Sequence, residues 1–384
     1  MITEHAPITP SAMGGYVYCT AKRDMEKQFP ELMPNEETEE GNAAHWVASE
    51  NLENWKRTGE LLPSLIGKSA PNGILVTDEI EDSAFIYVNA ALKLIKEKNI
   101  SRECVFIEVR LYAKHIHPDL WGTADLVIIH GPDIYLFDFK HGHLIVSEFE
   151  NWQLLSYLAG VVNWLQIDGP TEPYYTAHLT VVQPRAFHRR GTVRTWSVAL
   201  INLRAQFNIL RTTCETIAEG KGVCTTGPQC RDCTARYACE ANRLAAGAAI
   251  EYSLKPEPEL LDNYAVGVEL VFLKRAMDAL KYRYNALYEL AEINARTKGA
   301  RYPFHSINRK FGRLNWKKNK SVAEIKQLGV MLNKNLIKDA VITPTQAIKL
   351  GVDENLINVY ADRDEKTVFE FDDGEKAKLI FSSQ

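Results

Sequence analysis

The sequence predicts an α/β fold, a mixed sheet flanked by helices, followed by a mainly helical C-terminal extension. Three observations predict it. Helical apolar spacing alternates with short strand-like runs in the order helix, antiparallel strands, helix, strand. Two of those runs flank His130-Gly131-Pro132-Asp133, a tight-turn sequence, so at least one pair is a hairpin. A cysteine-rich segment and the linker-like Lys255-Pro256-Glu257-Pro258-Glu259 then divide a core, residues 1–254, from an extension, residues 255–384.

The elements follow in order. Residues 11–66 read as mostly helical, with Trp46, Val47 and Leu52 set among Glu, Asn and Lys. Pro71-Asn72-Gly73 makes a turn, and residues 82–98 carry apolar side chains at helical spacing. Strand-like runs occupy 104–112, 124–130 and 134–141, and helical periodicity returns over 150–166. A further strand, 177–184, ends at Pro184, which cannot continue a central ladder. Residues 195–200 offer it a neighbour, and a helix is expected over 201–219. Beyond the linker the spacing predicts a long helix over 258–297, and the tail from residue 300 mixes short elements.

Bulk properties exclude several classes. With 384 residues, 46% hydrophobic and 24% charged, the chain has globular composition and enough length for a sizeable core. Its net charge of -4 means that any nucleic-acid contact must come from a local basic groove. The opening MITEHAPITPSAMGG has no apolar signal core, and the longest apolar run, 154–165, is too short for a membrane and broken by Ser156, Tyr157 and Asn163. The expectation is a cytoplasmic protein with no membrane partner. Seven cysteines, three of them crowded together, then favour metal ligation over disulfides.

The most informative segment is GTADLVIIHGPDIYLFDFKHG. If Gly131 and Pro132 form the turn, residues whose numbers sum to 263 face each other, and Asp125 and Asp138 satisfy that sum. Two carboxylates directly opposite lie about 5 Å apart at Cβ and destabilise a sheet unless a cation sits between them. A divalent ion such as Mg²⁺ or Mn²⁺ suits such hard oxygen ligands. Lys140 follows Asp138 by two residues, so strand alternation puts it on the same face, where its ammonium can hold a water or stabilise charge on a phosphate. An Asp-x-Lys pair alone is usually a solvated charge pattern. Here it interrupts an apolar strand and faces a second Asp in register.

Gly122-Thr123-Ala124-Asp125, then Asp138-Phe139-Lys140, then Gln153-x-x-x-Tyr157 resembles the motif series of RecB-type nucleases of the PD-(D/E)XK superfamily, over about residues 40–185. That resemblance implies a restriction-endonuclease-like fold and a metal-dependent deoxyribonuclease, with exonuclease action on DNA as the expected activity. By resemblance His45, in GNAAHWVASE, joins Asp125 and Asp138 as a metal ligand, and Lys140 positions the attacking water. Glu108 matches an acidic position that some relatives carry. Gln153 and Tyr157, one helical turn apart, would brace the site or the DNA strand. Ala124 stands where the superfamily's name has proline, a departure that RecB-type members share. The whole layout is also similar to uncharacterised RecB-like proteins of phages and prophages. This similarity implies a role in phage-type DNA replication or recombination, in which a single-strand-binding or annealing protein would be a partner.

Cys230-x2-Cys233-x5-Cys239 is a soft-ligand metal site by its spacing, for zinc or for iron and sulphur. A fourth ligand is needed, and Cys224 nearby and Cys19 far upstream both qualify. Iron–sulphur exonucleases of the AddB and CRISPR-adaptation kind pair one early cysteine with a late triplet. The resemblance therefore implies a [4Fe–4S] cluster on Cys19, Cys230, Cys233 and Cys239, stapling the N-terminal helix to the segment after the core, with structural Zn²⁺ as the alternative. Cys104 and Cys214 fall within regular elements and read as buried thiols.

Two basic stretches are candidates for DNA contact. Arg185, His188, Arg189 and Arg190 follow the strand that ends at Pro184. Residues 308–320 interleave Arg309, Lys310, Arg313, Lys317, Lys318 and Lys320 with Phe311 and Trp316, which can follow a phosphate backbone while stacking bases.

Overall fold

The computed structural model describes residues 6–29, 36–169, 171–253, 262–316, 322–336 and 342–371. The chain forms two compact units, residues 1–286 and 287–384. The linker expected at 255–259 lies outside the described residues.

The first unit is built on a five-stranded mixed sheet of order β1-β2-β3-β4-β5. Strands β1 (Val105–Tyr112), β2 (Trp121–His130) and β3 (Asp133–Phe139) run antiparallel. β4 (Thr176–Val182) lies parallel to β3, and β5 (Val193–Ala199) closes the sheet antiparallel to β4. A parallel pair needs a crossover, and α5 (Trp152–Trp164) supplies it. That helix is apolar on most sides because the protein surrounds it; Leu154, Leu155, Leu158 and Val161 are fully buried. Gly160 lets it approach β1, since a Cβ there would sit 2.7 Å from the Leu111 side chain.

Strand alternation divides the core into two layers. Ile134 and Leu136 join α1 (Met13–Tyr18), α5 and α6 (Arg204–Ala218) on one face. Tyr135, Phe137 and Phe139 join α3 (Glu36–Thr58) and α4 (Asp78–Glu97) on the other. The expected helical stretch 11–66 is therefore broken up: α1, α2 (Lys22–Gln28) and α3, with the chain leaving helix at Gly59, φ 91°. The strand expected over 134–141 ends at Phe139, although the Lys140 N–H still donates to Val182 O at 2.9 Å. After α6 come α7 (Glu240–Ser253) and α8 (Asn263–Lys298), close to the long helix expected.

The second unit pairs β6 (His305–Trp316) with β7 (Ala361–Phe371), antiparallel. Its helices α9 (Val322–Met331), α10 (Pro344–Lys349) and α11 (Glu354–Tyr360) enclose a small core of Ile325, Leu328, Leu336, Ala347, Val352 and Ile357. No helix among the described residues is long and apolar enough to cross a membrane.

A buried ion pair locks the loops at the C-terminal end of β3 and β4. Arg194 and Glu148, both only 2% exposed, pair at 3.3 Å. Arg194 also donates to Val146 O at 2.7 Å and Gln183 Oε1 at 3.2 Å, and Gln183 in turn donates to Gly142 O and Leu144 O. Breaking a buried pair from one side leaves an uncompensated charge. Glu148→Ala is expected to cost about 3–5 kcal/mol in urea unfolding, and Glu148→Gln less. An unchanged midpoint in Glu148→Ala would show that water reaches the pair.

Candidate metal centre and cysteine cluster

The hairpin register is the one expected. Leu126↔Phe137, Val127↔Leu136 and His130↔Asp133 pair across a two-residue turn in which Gly131 takes φ 58°. One step further the backbone ladder gives way to a side chain, as Asp125 Oδ2 accepts the Phe139 N–H at 2.8 Å. On the other side of β2 the ladder passes from Ile107↔Leu126 to Val109↔Ala124 and omits Glu108, whose φ is 46°. A left-handed backbone at a glutamate costs about 1–3 kcal/mol and persists where surrounding structure imposes it. Here it aims a third carboxylate at the same spot. Donor atoms of His45, Glu108 and Asp125 all lie within 4.8 Å of one another, with His45 Nδ1 3.4 Å from Asp125 Oδ1.

Protonation follows from this crowding. Burial raises the pKa of Asp125, but His45, Lys140 and the Phe139 N–H together outweigh it and the carboxyl is held below its usual range. Asp138 moves the other way: burial lifts it, and the lowering by Lys140 does not compensate. Burial depresses His45, yet Asp125 beside it leaves the imidazole raised. Glu108 is exposed along its stem, yet desolvation of its carboxyl by the surrounding protein, then Asp125, push it up to about 7, against His45. Two neighbouring carboxyls thus have their pKa values driven apart, which is how sites separate ligand and proton-handling roles.

A raised Glu108 means that the folded protein binds this proton more tightly than the unfolded chain. Metal-free stability contributed here therefore falls as pH rises from the unfolded value toward 7, and the penalty is fully present above it. A divalent ion relieves that penalty, so thermal stabilisation by Mn²⁺ should grow from about pH 6 to about pH 8. In Glu108→Gln the growth should shrink to the share contributed by His45. Melting curves with and without Mn²⁺ measure both, and a pH-independent shift in the unsubstituted protein would remove Glu108 from the ligand set.

Lys140 Nζ lies 3.1 Å from both Asp138 oxygens and donates to Gln153 Oε1 at 2.9 Å. Asp138 is 1% exposed, and its Oδ2 has no well-directed hydrogen bond, which leaves an acceptor for a cation or a water. Asn151 caps α5, so Gln153 sits in the helix's first turn. Tyr157 packs one turn on, hydrogen-bonded to Gln153, with its pKa raised by burial. Gly122 is explained by crowding: a Cβ there would lie 2.8 Å from Pro10 and 3.3 Å from Tyr157. Sequence reasoning missed two neighbours. Tyr87 on α4 stacks on Phe139 at 5.0 Å; its buried hydroxyl has no partner among the described residues and feels Asp125, Glu108 and Asp138. His141 has both ring nitrogens buried and without a hydrogen-bond partner among the described residues, and burial followed by Arg185 lowers its pKa to about 4. Nothing in the local pattern of either distinguishes it from a core residue.

Five cysteines line one cavity: Cys19, Cys224, Cys230, Cys233 and Cys239, with Lys22 and Arg236. The N-terminal and late segments meet there directly. Val223 N–H donates to Thr20 Oγ1 at 2.9 Å, and a Cβ on Gly222 would lie 2.6 Å from Thr20 O. Both candidates for a fourth ligand are thus present. Burial pushes the Cys224 thiol up to about 12 and Cys233 to about 11, so a metal bound there must displace protons. Cys214 is buried in α6, whereas Cys104, in a short 3-10 turn, is only partly buried.

The basic stretches fare unevenly. Arg185 pairs with Glu79 at 2.8 Å and Glu40 at 3.3 Å and is mostly buried beside His141. Arg190 pairs with Glu148. Arg189 is exposed, beside an exposed Phe187. Arg309, Lys310, Arg313 and Trp316 fall on strand β6 of the second unit, with side chains outside the described residues, as are Lys317, Lys318 and Lys320.

The comparison with protein families extends over nearly all of this framework. The match spans residues 5–362, from just before α1 to the start of β7, and includes the hairpin carboxylates and all five clustered cysteines. The chain belongs to the family described as Protein of unknown function (DUF2800).

Proposed function

We propose that this protein is a Mg²⁺- or Mn²⁺-dependent deoxyribonuclease of the RecB type, acting as an exonuclease in phage-type DNA replication or recombination. The observation that carries the reading is the convergence of His45, Glu108 and Asp125 beside the Asp138–Lys140 pair. Three antiparallel strands, a crossover helix and a parallel fourth strand are also what a restriction-endonuclease-like core requires.

The donor set fits a hard divalent ion: two carboxylates and an imidazole, with a third carboxylate whose buried oxygen lacks a directed partner. Such an ion would supply Lewis-acid stabilisation of phosphate charge and activation of water. The chain's own groups do the rest. Lys140, fixed between Asp138 and Gln153, holds its ammonium where it can orient a water or neutralise the phosphodiester. Tyr157 fixes Gln153, and Gly122 leaves room for Tyr157. The thiolate set suits a [4Fe–4S] cluster, which would tie residues near Cys19 to residues 222–239.

Incubating anaerobically purified protein with end-labelled linear and circular DNA and Mg²⁺ or Mn²⁺ tests the reading. Loss of linear DNA alone is expected. Binding of DNA without digestion would replace the enzyme with a binding protein on the same fold, and digestion of matched RNA alone would change the substrate.

A further inference from the structure

Helix α8 carries an apolar seam that the first unit covers only in part, at Leu273. Val266, Leu270, Leu273, Met277 and Leu280 are spaced four, three, four and three residues apart, and Tyr284 and Leu287 continue the series in sequence. At 3.6 residues per turn these positions form one narrow stripe. All five are between 36% and 64% exposed. Arg275, Asp278, Ala279 and Tyr282, on the opposite side, line a cleft with Tyr18, Gln229 and Cys230, and Leu273 shares a second cleft with Ala276 and with Ala245 and Ala248 of α7; Tyr264, Val271 and Phe272, off the stripe, are exposed as well. An exposed stripe at the heptad spacing has one natural occupant, a second helix bearing the same spacing.

We infer that α8 pairs with α8 of a second copy of this chain as a parallel two-stranded coiled coil. In heptad terms Leu270 and Met277 occupy a positions, and Val266, Leu273 and Leu280 occupy d positions. Charge selects the orientation. A parallel pair sets Glu269, at g, against Lys274, at the following e, of the other copy, whereas an antiparallel pair brings the e-position Lys274 and Lys281 together across the seam. Within one chain Glu269 accepts from Tyr252 at 2.8 Å and Lys274 pairs with Asp278 at 3.0 Å. Both contacts are exposed and exchange at little cost.

Light scattering on the full-length protein tests this. Its mass should be twice 43.5 kDa. Met277→Lys, at a position already exposed in one chain, should raise the dimer dissociation constant by about 100-fold or more without changing circular dichroism. Glu269→Lys should weaken the dimer, and adding Lys274→Glu should restore it. A monomeric unsubstituted protein, or a dimer indifferent to Met277→Lys, overturns the inference. Failure of the double variant to recover overturns the parallel orientation. None of these outcomes depends on nuclease activity.

Discussion

Asp138→Asn is expected to abolish metal-dependent DNA digestion, by on the order of 10³-fold or more, while leaving the protein as stable as before or more so. The two halves of this expectation have one cause. Asp138 is buried, and its pKa is raised because burial outweighs the ammonium of Lys140. A carboxyl whose folded pKa exceeds its unfolded value weakens the fold at neutral pH, with the penalty growing as pH rises from the unfolded value through the folded one. The amide removes that penalty and keeps the shape, so the melting temperature at neutral pH should hold or rise. Function should not survive the exchange. The amide lacks the charge that pairs with Lys140 at 3.1 Å and that would complement a divalent ion beside Asp125. Digestion of linear DNA and a melting curve on the same preparation give both readouts. Retained digestion would remove Asp138 from the site, whereas a large fall in melting temperature would make it a structural residue.

The hairpin was legible because its information is local. Turn chemistry at Gly131-Pro132 fixes the register, the register carries Asp125 and Asp138 to the open end of the ladder, one step past Leu126↔Phe137, and alternation brings Lys140 alongside. The order of helices and strands was legible for the same reason. What escaped depends on contacts across long sequence separations. The left-handed backbone of Glu108 is imposed by the meeting of β1 with β2 and leaves no trace in VFIEVRL. Tyr87 reads as one more apolar position of α4, and only its stacking on Phe139 brings it to the candidate metal centre. The partners of Arg185, Glu40 and Glu79, belong to α3 and α4, far from it in the chain. Local composition can find a charge but not its partner.

The cysteine cluster joins segments far apart in the chain, so its loss should register in stability before it registers in chemistry. Cys233→Ser is expected to lose bound iron and the visible absorbance of the cluster, and to lower the unfolding free energy by about 4–5 kcal/mol if closing a long loop is its main effect. The loop is long indeed: Cys19 and Val223, whose sulfur and carbonyl lie 3.8 Å apart, are 204 residues apart. That length also separates the two candidates for the fourth ligand. If Cys19 is the ligand, Cys19→Ser removes both iron and the staple, and the melting temperature falls nearly as far as in Cys233→Ser. If Cys224 is the ligand, the cluster closes only the short loops among residues 224–239, so Cys19→Ser keeps its iron and loses little stability. Cys104→Ala, at a thiol outside this cavity, should keep the full iron content. Equal iron in all three variants would exclude a cluster on these thiols, and stoichiometric zinc in anaerobically prepared protein would replace the cluster with a structural zinc site. A staple that ties residues near Cys19 to residues 222–239 braces α1, which packs in turn on α5, the helix that carries Gln153 and Tyr157. Loss of iron should therefore lower digestion only as far as that support loosens, which separates it from the outright loss expected of Asp138→Asn.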